Sequence, residues 1–139
     1  MDARVELQAE IDAPREAVFA LVATSDGLAR WLDEGQLEAK PGGAVHLRLV
    51  DAEVAGKVLA IDAPQHISFS WDYPAEPLAT PSVVAFDAIS HGHRTHLTVR
   101  HVGLASRRSR ADHEALWRFW FPRLIEAAHA QAAVVAQAS

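Results

Sequence analysis

Chemistry in this chain rests on eight histidines and eighteen carboxylates, because it contains no cysteine. The lack of thiols removes disulfides, thiolate nucleophiles and Cys-based zinc or iron–sulfur sites together. His101 is the most suggestive histidine. It follows Thr95, Leu97 and Val99 at period two, so it shares the strand face of apolar residues that look inward. A neutral imidazole there can hydrogen-bond a ligand carbonyl or hydroxyl, or act as a base near neutral pH. The plainer reading, a partly buried histidine satisfied by backbone, is preferred.

Metal binding is not expected. His91 and His93 flank a turn, and His93 and His96 lie an odd number of residues apart, which sends them to opposite faces of a strand. No carboxylate stands at a spacing that completes a familiar ligand set. Hydrolase signatures are missing too: the chain has no Gly-x-Ser-x-Gly elbow, no His-Glu-x-x-His and no phosphate-cradling glycine loop. Asp72 and Glu76 beside Tyr73, or Asp33 and Glu34, form conceivable acid–base pairs, but loop carboxylates are usually solvated.

The aromatic residues carry a different chemistry. Phe69, Trp71 and Phe86 on strands, with Trp117, Trp120 and Phe121 on a helix, are expected to converge where sheet meets helix. A ligand pocket is mostly apolar with a few directed polar groups. Each such ring also buries about 150–250 Å² when packed, so the set can equally fill an ordinary core. With Leu97, Val99, His101 and Leu124 they make up the candidate ligand-binding residues.

The elements that would position these groups are legible. Val5, Leu7, Ala9 and Ile11 alternate with polar residues, as in a half-buried strand. Asp12 is expected to cap, and Pro14 to open, a helix carrying Ala17, Val18, Leu21 and Val22. Leu28, Trp31 and Leu32 suggest a second short helix. Pro41-Gly42-Gly43 reads as a turn between two short strands. Strands follow over about 53–61, with Gly56 as a bulge or close approach, then over 67–73, 82–89 and 94–102. Residues 73–81 hold three prolines and read as a loop. From about Arg110 a long helix begins, with Pro122 expected to kink it near Arg118. Strand, helices, a run of strands and a last helix argue a single α+β domain over 1–139.

Charge narrows the partners. Thirteen Lys and Arg against eighteen Asp and Glu give a net charge of −5, a field that repels nucleic acid. Neither a leader nor an apolar run long enough to span a membrane is visible. A cytoplasmic protein with no membrane partner and no cofactor is expected.

These pieces in order resemble the START-like or SRPBCC superfamily, in the branch similar to the C-terminal domain of the activator of Hsp90 ATPase. The resemblance is carried by Ala13-Pro14-Arg15-Glu16-Ala17-Val18-Phe19, Leu28-Ala29-Arg30-Trp31, Pro41-Gly42-Gly43 and Gly56-Lys57-Val58-Leu59 followed by Pro64. It continues through Ile67-Ser68-Phe69-Ser70-Trp71, Ser82-Val83-Val84-Ala85-Phe86, Thr95 to Leu104 and His113-Glu114-Ala115-Leu116-Trp117. It implies a helix-grip fold: a curved antiparallel sheet around a long C-terminal helix, with a cavity that relatives use for lipids and other hydrophobic molecules. It implies no shared catalytic motif. Chaperone ATPase stimulation is not expected, since in that family it depends on a separate N-terminal domain not seen here. Trp120-Phe121-Pro122 is bulkier than the usual smooth helix and bears on cavity size.

Three functions follow as expectations. The first is binding of a small hydrophobic ligand with no covalent change. The second is a polyketide cyclase or aromatase-like enzyme using the same cavity. The third is a homodimeric interaction module with a filled cavity and an apolar strip at Val83, Ala85 and Ile89.

Overall fold

Alternation of apolar and polar residues builds a single antiparallel sheet. In the computed structural model, which describes residues 4–50, 52–76 and 80–138 (132–138 as backbone), that sheet has seven strands. The elements in chain order are β1 (Val5–Ile11), α1 (Arg15–Ala23), α2 (Ser25–Leu28), β2 (Glu34–Leu37), β3 (Ala44–Leu49) and β4 (Ala52–Asp62). After them come β5 (His66–Trp71), β6 (Ser82–His91), β7 (Arg94–Val102) and α3 (Arg107–Ala138). The strand order is β1-β7-β6-β5-β4-β3-β2. β1 and β2 therefore occupy opposite edges, and α1 and α2 carry the chain from one edge to the other. This curved sheet with its long C-terminal helix is the helix-grip α+β fold.

Alternation decides which residues reach the core. On β3, Val45, Leu47 and Leu49 are buried while Ala44, His46 and Arg48 are exposed. On β6, Ser82, Val84, Phe86 and Ala88 point inward. Gly56 on β4 is a close approach: a Cβ there would lie 1.8 Å from the carbonyl oxygen of Ser70 on β5. The irregularity in β4 sits two residues on, where its register against β5 shifts between Val58 and Ala60.

Two helical expectations need correction. Asp12 does not cap α1; the N-cap position is Pro14, and no side chain bonds the first-turn amides. The second helix is not at Leu28-Trp31-Leu32 but at Ser25–Leu28, capped by Thr24, whose Oγ1 accepts the Gly27 amide at 2.9 Å. The apolar spacing was real nonetheless. Trp31 and Leu32 continue in a turn whose amides donate to the Leu28 carbonyl, and all three side chains are buried.

α3 is continuous through Pro122. It runs alongside β1 and is tied to the residues that flank that strand. Arg110 Nε donates to the Arg4 carbonyl at 3.2 Å, and the Asp12 amide donates to His129 Nε2, also at 3.2 Å. No helix among the described residues is long and apolar enough to cross a membrane.

Candidate functional site

Trp31, Trp71, Trp117 and Trp120 are the four tryptophans of the chain, and all of them line one recess between sheet and α3. Phe69 and Phe86 join them from the sheet, and Leu47 and Leu49 from β3. Leu28 and Leu32 close it below, and the half-buried Leu116 lies at its α3 side. The wall is wholly apolar. The space between side chains amounts to about 260 Å³, part of it open to solvent, with interior room for about one water-sized sphere.

The rings brace one another around that space. Trp71 and Trp117 have centroids 5.6 Å apart, Phe86 meets Trp117 edge-on at 5.8 Å, and Trp31 meets Phe86 edge-on at 6.3 Å. Edge-on and offset pairs suit the ring quadrupoles.

Trp31 Nε1 donates to the Leu21 carbonyl at 2.7 Å, and the indoles of Trp71 and Trp117 each start a hydrogen-bond relay. Trp117 Nε1 donates to His101 Nδ1 at 3.0 Å. An indole nitrogen is a donor only, so the neutral imidazole carries its proton on Nε2. That proton goes to Ser82 Oγ at 2.7 Å, and Ser82 in turn donates to the Trp71 carbonyl at 3.1 Å. A second relay starts from the Trp71 indole, which donates to Tyr73 at 2.9 Å. The Tyr73 hydroxyl donates to His113 Nε2 at 2.7 Å, and His113 Nδ1 donates to the Ser109 carbonyl at 2.7 Å. Both relays begin at an indole and end at a backbone carbonyl. They bind the first turns of α3 to β5, β6 and β7.

Burial pushes the pKa of His101 down to about 3, and the imidazole of His113, packed edge-on at 4.7 Å between centroids, adds to the effect. His101 is fully buried. Its partners are side chains, not the backbone expected from the sequence, and both of its nitrogens are taken. Tyr73 is pushed up, chiefly by burial.

Of the candidate ligand residues, Phe69, Trp71, Phe86, Trp117 and Trp120 line the recess, whereas Leu97, Val99, His101, Phe121 and Leu124 are buried in the core outside its lining. Sequence reasoning did not place Leu28, Trp31, Leu32, Leu47, Leu49 and Leu116 there. The helical spacing of Leu28, Trp31 and Leu32 was visible, but not that their turn folds under α3. Asp33, Glu34 and Glu76 are exposed, and Asp72 is half-buried. In the apolar strip, Ile89 is 53% exposed while Val83 and Ala85 are half-buried.

The opposite face of the sheet carries a polar ladder. His66 meets Asp87 at 2.8 Å, Asp87 meets Arg100 at 3.4 Å, and Arg100 Nε donates to Glu6 at 2.7 Å. Glu6 receives the Gln8 amide at 3.2 Å, and the Gln8 oxygen faces His96 Nε2 at 3.0 Å. His96 and His91 both meet Glu10. The hydrogen bond from His96, more than that from His91, holds the Glu10 carboxyl below its usual range. On this face the histidines that come together are His91 and His96, neither of the pairs weighed from the sequence.

Residues 12–129 match the family model for Activator of Hsp90 ATPase homolog 1-like protein. No curated protein matches the chain in sequence. Among solved structures, protein MLL2253 from Mesorhizobium loti is 21% identical with a TM-score of 0.79, covering 89% of this chain and 95% of its own. DynU16, from the dynemicin biosynthetic locus, is 20% identical with a TM-score of 0.77, covering 91% of this chain and 47% of its own. An Aha1 dimer from Colwellia psychrerythraea is 16% identical with a TM-score of 0.73, covering 90% of this chain and 95% of its own.

Proposed function

The chain belongs to the Activator of Hsp90 ATPase homolog 1-like family, and from that premise we propose that it binds a small apolar ligand in the recess between sheet and tail helix, without covalent change to it. One observation carries this reading: a partly open recess whose lining is carbon throughout, because the indole, imidazole and phenol groups behind it satisfy one another. A wall of that kind attracts apolar surface and offers nothing to hold a charged or strongly hydrogen-bonding substrate. The free interior is narrow, so entry requires side chains such as Leu116 and Trp120 to move outward. A slender or flat ligand fits best.

The tightness of the recess also favours a second reading, an interaction module whose rings fill the grip. Homodimerisation belongs to that reading; its support is that one solved relative is described as a dimer. Base catalysis by His101 has no such support, since its lone pair is engaged by Trp117.

Tryptophan fluorescence separates the two readings, because all four tryptophans line the recess. Titration with N-phenyl-1-naphthylamine is expected to quench the tryptophan emission saturably. Leu116→Ala, which widens the α3 side, is expected to tighten binding several-fold. Absence of saturable quenching, with a dimer in sedimentation equilibrium, would transfer the case to the interaction module.

A further inference from the structure

The cluster on the outer face of the sheet has the composition and shape of a cation site. Glu10 and His96 are direct cross-strand partners on β1 and β7, and His91 ends β6 diagonally beside them. Their ligand atoms all lie within 4.8 Å of one another. His96 Nδ1 is 2.7 Å and His91 Nδ1 3.1 Å from the same oxygen, Glu10 Oε1. Around zinc, with bonds of about 2.0–2.1 Å, neighbouring ligand atoms stand about 2.9 Å apart at right angles and about 3.3 Å at the tetrahedral angle. The two histidine–carboxylate distances lie within tenths of an ångström of those separations.

A second observation concerns His96, which faces two acceptor oxygens. Nδ1 meets Glu10 Oε1 at 2.7 Å and Nε2 meets Gln8 Oε1 at 3.0 Å. The Gln8 oxygen is oriented as an acceptor, because its amide nitrogen donates to Glu6, which Arg100 holds in place. A neutral imidazole has one N–H and serves one of these oxygens. Moving that proton to Nε2, toward Gln8, frees the Nδ1 lone pair beside the Glu10 carboxylate, where a cation takes the place of the donated hydrogen. A ligating histidine whose other nitrogen donates to a carbonyl is how metal sites fix ring orientation.

We propose that Glu10, His91 and His96 bind a borderline divalent cation, such as zinc, nickel(II) or copper(II), on the face of the sheet opposite the recess. Two imidazoles and one carboxylate select this class over calcium or magnesium, which take oxygen ligands. Three protein ligands at a solvent-exposed position leave a further coordination position to water or to an incoming donor. Gln8 is the positioning residue.

The test is calorimetric titration of the full chain, free of any affinity tag, with zinc chloride alone. One zinc ion per chain is expected to bind saturably. Glu10→Gln and His96→Ala are expected to abolish that binding, and Gln8→Leu to weaken it by about tenfold to a hundredfold. His93→Ala, on the adjacent turn, is expected to leave it unchanged. All four positions are at least partly exposed, so circular-dichroism melting confirms that each variant folds. Absence of saturable binding, survival of binding in Glu10→Gln or His96→Ala, or equal loss in His93→Ala would overturn the site and leave only hydrogen bonds between the strands.

Discussion

Trp117 on α3 donates its indole N–H to Nδ1 of His101 on β7 at 3.0 Å. The contact joins the helix to the sheet and, by occupying the imidazole lone pair, fixes His101 in one neutral tautomer. The bond turns the Trp117 indole N–H away from the recess and holds His101 where burial keeps it neutral.

Stability is expected to fall in acid. The pKa of His101 is pushed from an ordinary 6.5 down to about 3 by burial. Between those values the unfolded chain takes a proton that the folded chain refuses, so stability is full above about pH 6.5 and declines toward pH 3. The slope contributed is on the order of 1 kcal/mol per pH unit. Urea unfolding at a series of pH values measures it. His101→Gln is expected to flatten the curve in this window while lowering stability at neutral pH; an unchanged slope would show that His101 titrates normally.

Trp117→Phe removes the donor and leaves a buried acceptor unpaired. A loss of about 3 kcal/mol or more is expected, combining the orphaned nitrogen with the smaller ring. Removing both partners should cost less than the two single changes summed, because no polar atom is then stranded. A double-mutant cycle of Trp117→Phe with His101→Leu, read by chemical denaturation, checks this coupling. Strict additivity would mean that the hydrogen bond contributes nothing.

Gly56→Ala tests the close approach of β4 to β5. A Cβ at 1.8 Å from the Ser70 carbonyl cannot be accommodated without backbone movement. A destabilisation of about 2–4 kcal/mol is expected, well above the usual effect at a half-exposed strand position. A neutral outcome in thermal melting would mean that this strand pair is looser than the geometry states.

The sheet was largely written in the sequence because alternation is a local signal. β7 appears at the boundaries read from it, and Val45, Leu47 and Leu49 point inward as their spacing requires. Short-range helix signals were weaker. Leu28, Trp31 and Leu32 repeat at helical spacing, yet the helix proper ends at Leu28 and the turn after it supplies the other two. The relays were out of reach for a different reason. Trp71, Ser82, His101 and Trp117 lie far apart along the chain, and only strand register and the path of α3 bring them together. The same holds for Glu10 with His91 and His96, whose contacts span more than eighty positions. His101 was recognised as inward-facing from its period-two neighbours, but nothing local revealed that an indole would take its lone pair.

The indole N–H resonances of Trp31, Trp71, Trp117 and Trp120 give the most direct measurement of the recess, since all four rings line it. In proton–nitrogen correlation spectra recorded during titration with naphthalene, all four peaks are expected to shift together and saturate at one ligand per chain. Four stationary peaks up to the solubility limit of the probe would mean that the rings fill the grip themselves and that no apolar ligand enters it.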